Sequence, residues 1–278
     1  MTATYPPATP IWCAGCGHFG VQAAMSAALQ ELEIPAHETI ILAGIGCSGT
    51  VQNNLGTYGY HALHGRVLPT ATGTHLANPD LTVIAAGGDG DGYAIGMGHL
   101  VHTFRRNPSF TYIVMNNGVY GLTKGQDSPT FQSGVEALEF DAVSLALSIP
   151  TTTFVARGFA RWTAQLHRIM VAALQHARDG QGFAFLEVLS PCVTYNDTYP
   201  LWEATLVDID ANGHDPEDRS GAFQTVSELG ENGHMAVGLI YRNGADQSGT
   251  TAPNPAAAVV DPADNAAAYA ELLARYSF

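Results

Sequence analysis

A chain of 278 residues with 25 acidic side chains against 11 basic ones, a formal charge of −14, repels phosphate-rich partners, which excludes nucleic acid and anionic membrane surfaces as ligands. Apolar residues make up 46% and charged residues 13%, enough for a large core and sparse enough in charge to suit a subunit that buries part of its exterior. No run approaches the roughly 20 apolar residues of a membrane helix, and the opening MTATYPPATP has neither the charged nor the apolar part of a leader, so a soluble, cytoplasmic protein is expected.

From the amino end, IWCAGCGHFG places Cys13 and Cys16 two residues apart in a chain with four cysteines. On the residues alone such a pair is a redox dithiol, half of a zinc site, a disulfide, or two ligands of an iron–sulfur cluster. A reducing compartment disfavours the disulfide. HFGVQAAMSAALQELEI carries apolar residues at helical spacing and ends before Pro35. TIILAGIG reads as a buried strand running into a glycine loop at Gly44 and Gly46. LTVIAAGGDGDG repeats that form and opens the helical YAIGMGHLVHTFRR, and FTYIVMNNGVYG is a third strand ending in polar turn residues. A helix near 136–148, the strand TTTFVA, the helix WTAQLHRIMVAALQHA and the strand FAFLEVLS follow. Near-continuous apolar strands separated by helices predict an α/β fold: a doubly wound, mostly parallel sheet with helices on both faces. Past Pro200 the pattern weakens. HDPEDRSGAFQTVSELG reads as a helix, AVGLIY as a short strand, and a Pro/Ala/Gly-rich arm leads to a terminal helix, NAAAYAELLARY. The expected organisation is one domain over 1–200 and an extension over 201–278 that packs on it or on a partner subunit.

In a doubly wound sheet, ligands bind beyond the carboxyl ends of the strands. GGDGDG stands there, and it lacks the G-x-G-x-x-G pattern of a dinucleotide site. Between Gly88-Asp89-Gly90 and Asn116-Asn117 lie 25 residues, one strand–loop–helix–strand unit, which brings Asp89 and Asn117 to one crevice. A carboxylate, an amide oxygen and a backbone carbonyl are hard ligands suited to Mg²⁺. The helix opening after the loop turns free N–H groups toward a diphosphate. This spacing is the thiamine-diphosphate motif, with Asp89 as the ligand and Asp91 orienting loop or diphosphate groups.

Over roughly 12–200, through WCAGCG, GIGCSG, HALHGR, ANPDLTVIAAGGDGDG, RRN, NNGVYGLTKGQDSPT and SPCVTYN, the chain resembles the β subunits of 2-oxoacid:ferredoxin oxidoreductases. The resemblance implies a [4Fe–4S] cluster on Cys13, Cys16, Cys47 and Cys192. The residues agree without deciding, since four thiolates suit zinc as well. Cys47 and Cys192 are separated by 144 residues, which fits a site gathered from distant loops better than two paired CxxC units. The resemblance also implies Mg²⁺ on Asp89, Asn117 and the carbonyl of Val119. Thiamine diphosphate is then expected among Gly46, Cys47, Ser48, His64, Gly88, Gly90, Asp91, Gly121, Leu122 and Thr123. It further implies an α subunit that bears the pyrimidine-binding module and the activating glutamate, an αβ or (αβ)2 assembly, and a ferredoxin. The implied reaction is the coenzyme A-dependent oxidative decarboxylation of a 2-oxoacid, or its reductive reverse.

Two side chains are candidates for catalysis. Lys124, the only lysine in the chain, stands in a TKGQ segment similar to the 2-oxoglutarate type, whereas many pyruvate-type members carry TGGQ. A cation there would pair with the distal carboxylate of 2-oxoglutarate; the plain alternative is a solvated loop charge. His64 is expected to contact the diphosphate or donate to substrate, the alternative being a hydrogen-bonded structural histidine. A pyruvate or broad-range enzyme, and a zinc-stabilised binding subunit without catalysis, are the competing functions.

Overall fold

In the computed structural model, which describes residues 9–131 and 140–243 together with 270, 271 and 274, the six strands read from the sequence all join one eight-stranded sheet. In chain order the elements are α1 (His18–Glu31), β1 (Thr39–Ala43), β2 (Tyr58–His61), α2 (Val67–Ala77), β3 (Thr82–Gly88) and, after a wide π-type turn over Gly90–Ile95, α3 (Met97–Arg106). Then come β4 (Thr111–Asn116), a small hairpin of β5 (Val119–Tyr120) and β6 (Gln126–Asp127), α4 (Ala142–Ser148), β7 (Phe154–Phe159), α5 (Thr163–Arg178) and β8 (Ala184–Leu189). Beyond them lie α6 (Tyr199–Thr205), β9 (Leu206–Asp208), α7 (Arg219–Glu231) and β10 (Met235–Arg242).

The sheet order is β2-β1-β3-β4-β8-β7-β10-β9. Pairing is parallel from β2 through to β7, and β10 runs antiparallel to β7. The period of two along each strand sends successive side chains to opposite faces. Ile113 and Met115 of β4 therefore join a core layer under α1 and α5, while Tyr112 and Val114 join the layer under α2, α3 and α4. Both faces are covered, which is why the central strands read as near-continuous apolar runs, with Arg157 in β7 and Glu187 in β8 the charged exceptions. α1 is an alanine-rich helix whose Val21, Met25, Ala28 and Leu29 lie on one buried stripe; it stops where Glu33 turns left-handed (φ 51°) two residues before Pro35.

β1 and β3 are neighbours whose following connections diverge, outward to β2 on one side and onward to β4 on the other. That divergence opens a crevice at their carboxyl ends, the usual place for a ligand in such a sheet. Past Pro200 the chain continues the sheet, adding β10 beside β7 and β9 beside β10.

Several elements depart from the sequence reading or have no counterpart in it, the hairpin β5–β6, α6 and β9 among them. β2 is an edge strand with all four residues exposed, so no buried alternation marks it. α2 is built from VLPTATGTHLA, whose proline, glycine and threonines give little helical signal; the hydroxyls of Thr70, Thr72 and Thr74 instead bond back to carbonyls four residues earlier. α4 begins at Ala142, where the carboxylate of Asp141 caps the amides of Val143 and Ser144. Residues 132–139 of the helix expected near 136–148, the Pro/Ala/Gly-rich arm, and all but 270, 271 and 274 of the terminal helix lie outside the described residues.

Candidate functional site

Four loops leave the carboxyl ends of β1, β2, β3 and β4 and enclose a cavity of about 260 Å³. Its walls contain Gly46, Cys47, Ser48 and His64 from the first side, Gly88, Asp89, Gly90 and Asp91 from the second, and Asn117, Val119, Gly121, Leu122 and Thr123 from the third. Every residue expected around the diphosphate is thus brought to one cavity. Two glycines are sterically required. A Cβ on Gly90 would stand 2.2 Å from the Tyr120 ring, and one on Gly44 would stand 2.1 Å from a carboxylate oxygen of Asp91.

Asp89 is 1% exposed at the end of β3. Its Oδ2 accepts from the hydroxyls of Ser128 and Thr130, and its Oδ1 accepts a long bond from the Asn117 amide at 3.4 Å. Burial pushes this carboxyl above its ordinary range, and the hydroxyl and amide donors oppose that rise. A buried carboxylate so placed gains from a cation. Asn117 turns its Oδ1 back onto the amide of Val119 at 3.0 Å, which folds the Asn117–Val119 turn against the same cavity. Carboxylate, amide and carbonyl oxygens on one cavity match the donor chemistry of Mg²⁺. Ser128 and Thr130 escape the sequence reading, although SPT closes the same motif that carries Lys124.

Asp91 lies on the first turn after β3 and joins three segments. Its Oδ1 accepts from the amide of Ile45 (3.0 Å), the amide of Gly65 (2.8 Å) and Nδ1 of His64 (2.8 Å). Because a carboxylate only accepts, Nδ1 of His64 carries the proton and Nε2 remains for the cavity that this histidine lines. Lys124 is placed differently. It is exposed in the loop after Leu122 and Thr123, is not part of the cavity wall, and holds a left-handed backbone at φ 68°.

A second cavity of about 290 Å³ holds all four cysteines in its lining and shares Ile45, Gly46, Cys47, Asn117, Gly121 and Leu122 with the first. None of the four is in a disulfide. The loops are tied to one another: Trp12 Nε1 donates to the Cys47 carbonyl at 2.8 Å, the Gly17 amide to the Pro191 carbonyl at 3.0 Å, and Asn196 Nδ2 to the Asn117 carbonyl at 3.0 Å. His18 opens α1 with its ring against Ser190 Oγ at 2.6 Å, so it neither caps the helix nor lines the thiol cavity. Burial raises the Cys16 thiol to about 11, the His18 amide opposes this, and the neighbouring thiols of Cys192, Cys47 and Cys13 add to it. Burial, then Cys192 and Cys13, likewise raises Cys47. Among the described residues no three His, Cys, Asp or Glu side chains are grouped to hold a single metal ion. A tetrahedral zinc would draw its sulfurs to roughly 3.8 Å of each other. Four thiols in the lining of one largely apolar cavity could hold a [4Fe–4S] core or, drawn closer together, a zinc ion.

Residues 44–188 match the model of the thiamine pyrophosphate enzyme C-terminal TPP-binding domain, and residues 192–251 match the model of the C-terminal part of the pyruvate ferredoxin oxidoreductase β chain. The 2-oxoacid:ferredoxin oxidoreductase 1 β subunit of Aeropyrum pernix is 41% identical over 255 residues, covering 84% of this chain and 77% of that one. The 2-oxoglutarate oxidoreductase subunit KorB of Mycobacterium tuberculosis is 40% identical over 195 residues, 67% of this chain and 51% of its own length. A solved structure, 2-oxoglutarate:ferredoxin oxidoreductase from Magnetococcus marinus with 2-oxoglutarate, coenzyme A and succinyl-CoA bound, superposes with a TM-score of 0.80 at 33% identity, covering 94% of this chain and 92% of that one.

Proposed function

Because the chain belongs to the β subunits of 2-oxoacid:ferredoxin oxidoreductases, we propose that it binds thiamine diphosphate, Mg²⁺ and a [4Fe–4S] cluster for the interconversion of 2-oxoglutarate and coenzyme A with succinyl-CoA and CO₂, a ferredoxin exchanging the electrons. The observation that carries this is the shared wall: Cys47, Gly121 and Leu122 line both the oxygen-donor cavity and the thiol cavity. Thiamine diphosphate supplies an electron sink for the carbon that loses CO₂, and the cluster supplies one-electron acceptance beside it.

The protein's own tasks follow from its donors. Asp89, Asn117 and the Val119 carbonyl would hold Mg²⁺, with Gly46, Ser48, Gly88 and Gly90 leaving room for the diphosphate. Cys13, Cys16, Cys47 and Cys192 would hold the cluster, and their protons must leave when it binds. His64 presents Nε2 to a group bound in the cavity, and Asp91 fixes the ring through Nδ1. The mouth carries exposed Leu122, with Leu63 and Ile95 beside His64 and the π-type turn. Such apolar exposure suits burial under the α subunit, which would bring the pyrimidine module and the activating glutamate.

The 2-oxoglutarate reading draws support from the KorB relatives and from the ligands named with the Magnetococcus structure. A broad-range 2-oxoacid reading is favoured by the position of Lys124 outside the cavity wall and by relatives named simply for 2-oxoacids. The αβ complex, purified without oxygen and assayed with ferredoxin and coenzyme A against 2-oxoglutarate, pyruvate and 2-oxobutyrate, separates the two. A brown protein with broad absorption near ~400 nm is expected of the thiolate cluster. A colourless, inactive protein with one zinc per chain would instead mark a zinc-stabilised binding subunit.

A further inference from the structure

One buried ionic network stands beneath the cavity. Glu187 of β8 and Arg157 of β7 are register partners in the middle of the sheet, 2% and 5% exposed. Arg157 Nε donates to Glu187 Oε2 at 2.6 Å, and its terminal nitrogen donates to Asp141 Oδ1 at 2.6 Å. Burial works against the Arg157 charge, and the two carboxylates outweigh it, moving its pKa up from the ordinary arginine value. The other oxygen of Glu187 accepts from Tyr93 Oη at 2.9 Å and from Asn116 Nδ2 at 3.1 Å.

Those two donors belong to the two turns of the candidate Mg²⁺ site. Tyr93 lies on the π-type turn that starts directly after Asp89. Asn116 directly precedes Asn117, and its Oδ1 accepts from the Gly118 amide at 3.2 Å and lies 2.9 Å from Thr130 Oγ1, the hydroxyl that also reaches Asp89. The amide of Asn116 has one workable orientation, since flipping it would face its carbonyl to a carboxylate and its NH₂ to an N–H. A buried ion pair is a poor source of net stability, and apolar residues of similar volume usually serve as well. Its persistence in a central strand pair therefore calls for another role.

We infer that Glu187, steadied by Arg157, is a positioning residue that fixes the turn after Asp89 and the Asn116–Val119 turn relative to each other, so that the Mg²⁺ ligands are in register before the cofactor arrives. This rests on the reading of the cavity as a thiamine-diphosphate site. In Glu187→Gln the amide oxygen stays with the Arg157 guanidinium, and the amide NH₂ then opposes the NH₂ of Asn116, so the turn loses its anchor while side-chain volume is kept.

The test uses the αβ complex stripped of thiamine diphosphate, comparing parent, Glu187→Gln and the double variant Glu187→Leu/Arg157→Leu. Two quantities are measured: the Kd of thiamine diphosphate at saturating Mg²⁺ by calorimetry, and the melting temperature without cofactor. Loss of an outer hydrogen-bond partner of a metal site weakens affinity about 10–100-fold, and that loss is expected in both variants. The double variant removes Glu187 and Arg157 together, leaving Asp141 to the α4 amides it caps and Tyr93 Oη and Asn116 Nδ2 without their acceptor, so it is expected to melt roughly 5–20 °C below the parent. Measured below its own melting transition, its Kd decides the matter even if Glu187→Gln melts far lower, because no buried ion is left facing the turn. A double variant that folds and binds within threefold of the parent would overturn the positioning role alone. A parent complex that binds no thiamine diphosphate would overturn the site reading and this inference together.

Discussion

Asp89 and Lys124 sit at opposite extremes of exposure, and each makes a separate prediction. Asp89 holds a carboxylate in a place that opposes its charge, with two hydroxyls and one amide turned toward it. Asp89→Asn keeps an acceptor for Ser128 and Thr130 but removes the only carboxylate of the oxygen set. The expected outcome is loss of Mg²⁺ and thiamine diphosphate from the purified complex by mass analysis, with the circular dichroism spectrum and cofactor-free melting temperature retained. Undiminished cofactor content would remove Asp89 from the metal. Lys124 adopts a left-handed backbone that costs a non-glycine residue roughly 1–2 kcal/mol. Glycine would relieve that strain at an entropic cost of roughly 0.5–1 kcal/mol. Lys124→Gly is therefore expected to leave stability unchanged or raise it by up to about 1 kcal/mol in urea titrations. If the lysine reaches the distal carboxylate of 2-oxoglutarate in the complex, kcat/KM for that acid falls roughly 30–1,000-fold while pyruvate turnover holds. A change of less than about threefold on both acids would return the lysine to solvent.

At the scale of elements, three helical glycines have nothing against them among the described residues, one of them Gly230 in the last turn of α7. Gly73 of α2 and Gly98 of α3 would each place a Cβ with no heavy atom within 4 Å. Helix-interior glycine costs roughly 0.5–1 kcal/mol relative to alanine. Gly73→Ala and Gly98→Ala should each raise the melting temperature of this chain by about 1–4 °C, and a drop in either would mean that an added methyl meets something the described residues do not contain. The same helices show why some elements are legible in the sequence and others are not. β3, β4, β7 and β8 are buried on both faces, so their apolar runs announce them; α2 has only Val67, Leu68 and Ala71 buried, and β2 has nothing buried at all. In the site, the spacing from Asp89 to Asn117 is readable because it is one supersecondary unit. Ser128, Thr130 and Asn196 are not, because their partners lie 39 to 79 residues away and no local pattern reports such a bond. Glu187 and Arg157 do leave a trace, a charge of each sign inside the apolar runs FAFLEVLS and TTTFVARGF, which only the sheet register turns into a pair.

Across the whole molecule, the thiol cavity joins loops from before α1, after β1 and after β8, far apart in sequence. Cys13 and Cys16 precede α1, Cys47 follows β1 and Cys192 follows β8, and the hydrogen bonds from Trp12, Gly17 and Asn196 hold these loops to one another and to the Asn117 turn. A metal centre bound only by the folded chain stabilises it by mass action, about 4 kcal/mol at a thousandfold excess over Kd. At about 2–4 °C per kcal/mol for a chain of this size, that corresponds to roughly 10 °C. Cys192→Ser replaces a thiol with a hydroxyl of similar shape that seldom gives up its proton, so the folded loops remain and, if the four cysteines hold the proposed cluster, its fourth ligand is lost. The iron content and reduced-state EPR signal of the variant should fall away from those of a four-iron centre. Its melting temperature should drop by roughly 10 °C to that of the parent after iron is chelated, because both then lack the same cross-link. A zinc-bound parent would show one colourless ion per chain. A Cys192→Ser protein that kept its iron, its EPR signal and the parent's melting temperature would make Cys192 a bystander thiol and leave the cluster to three ligands.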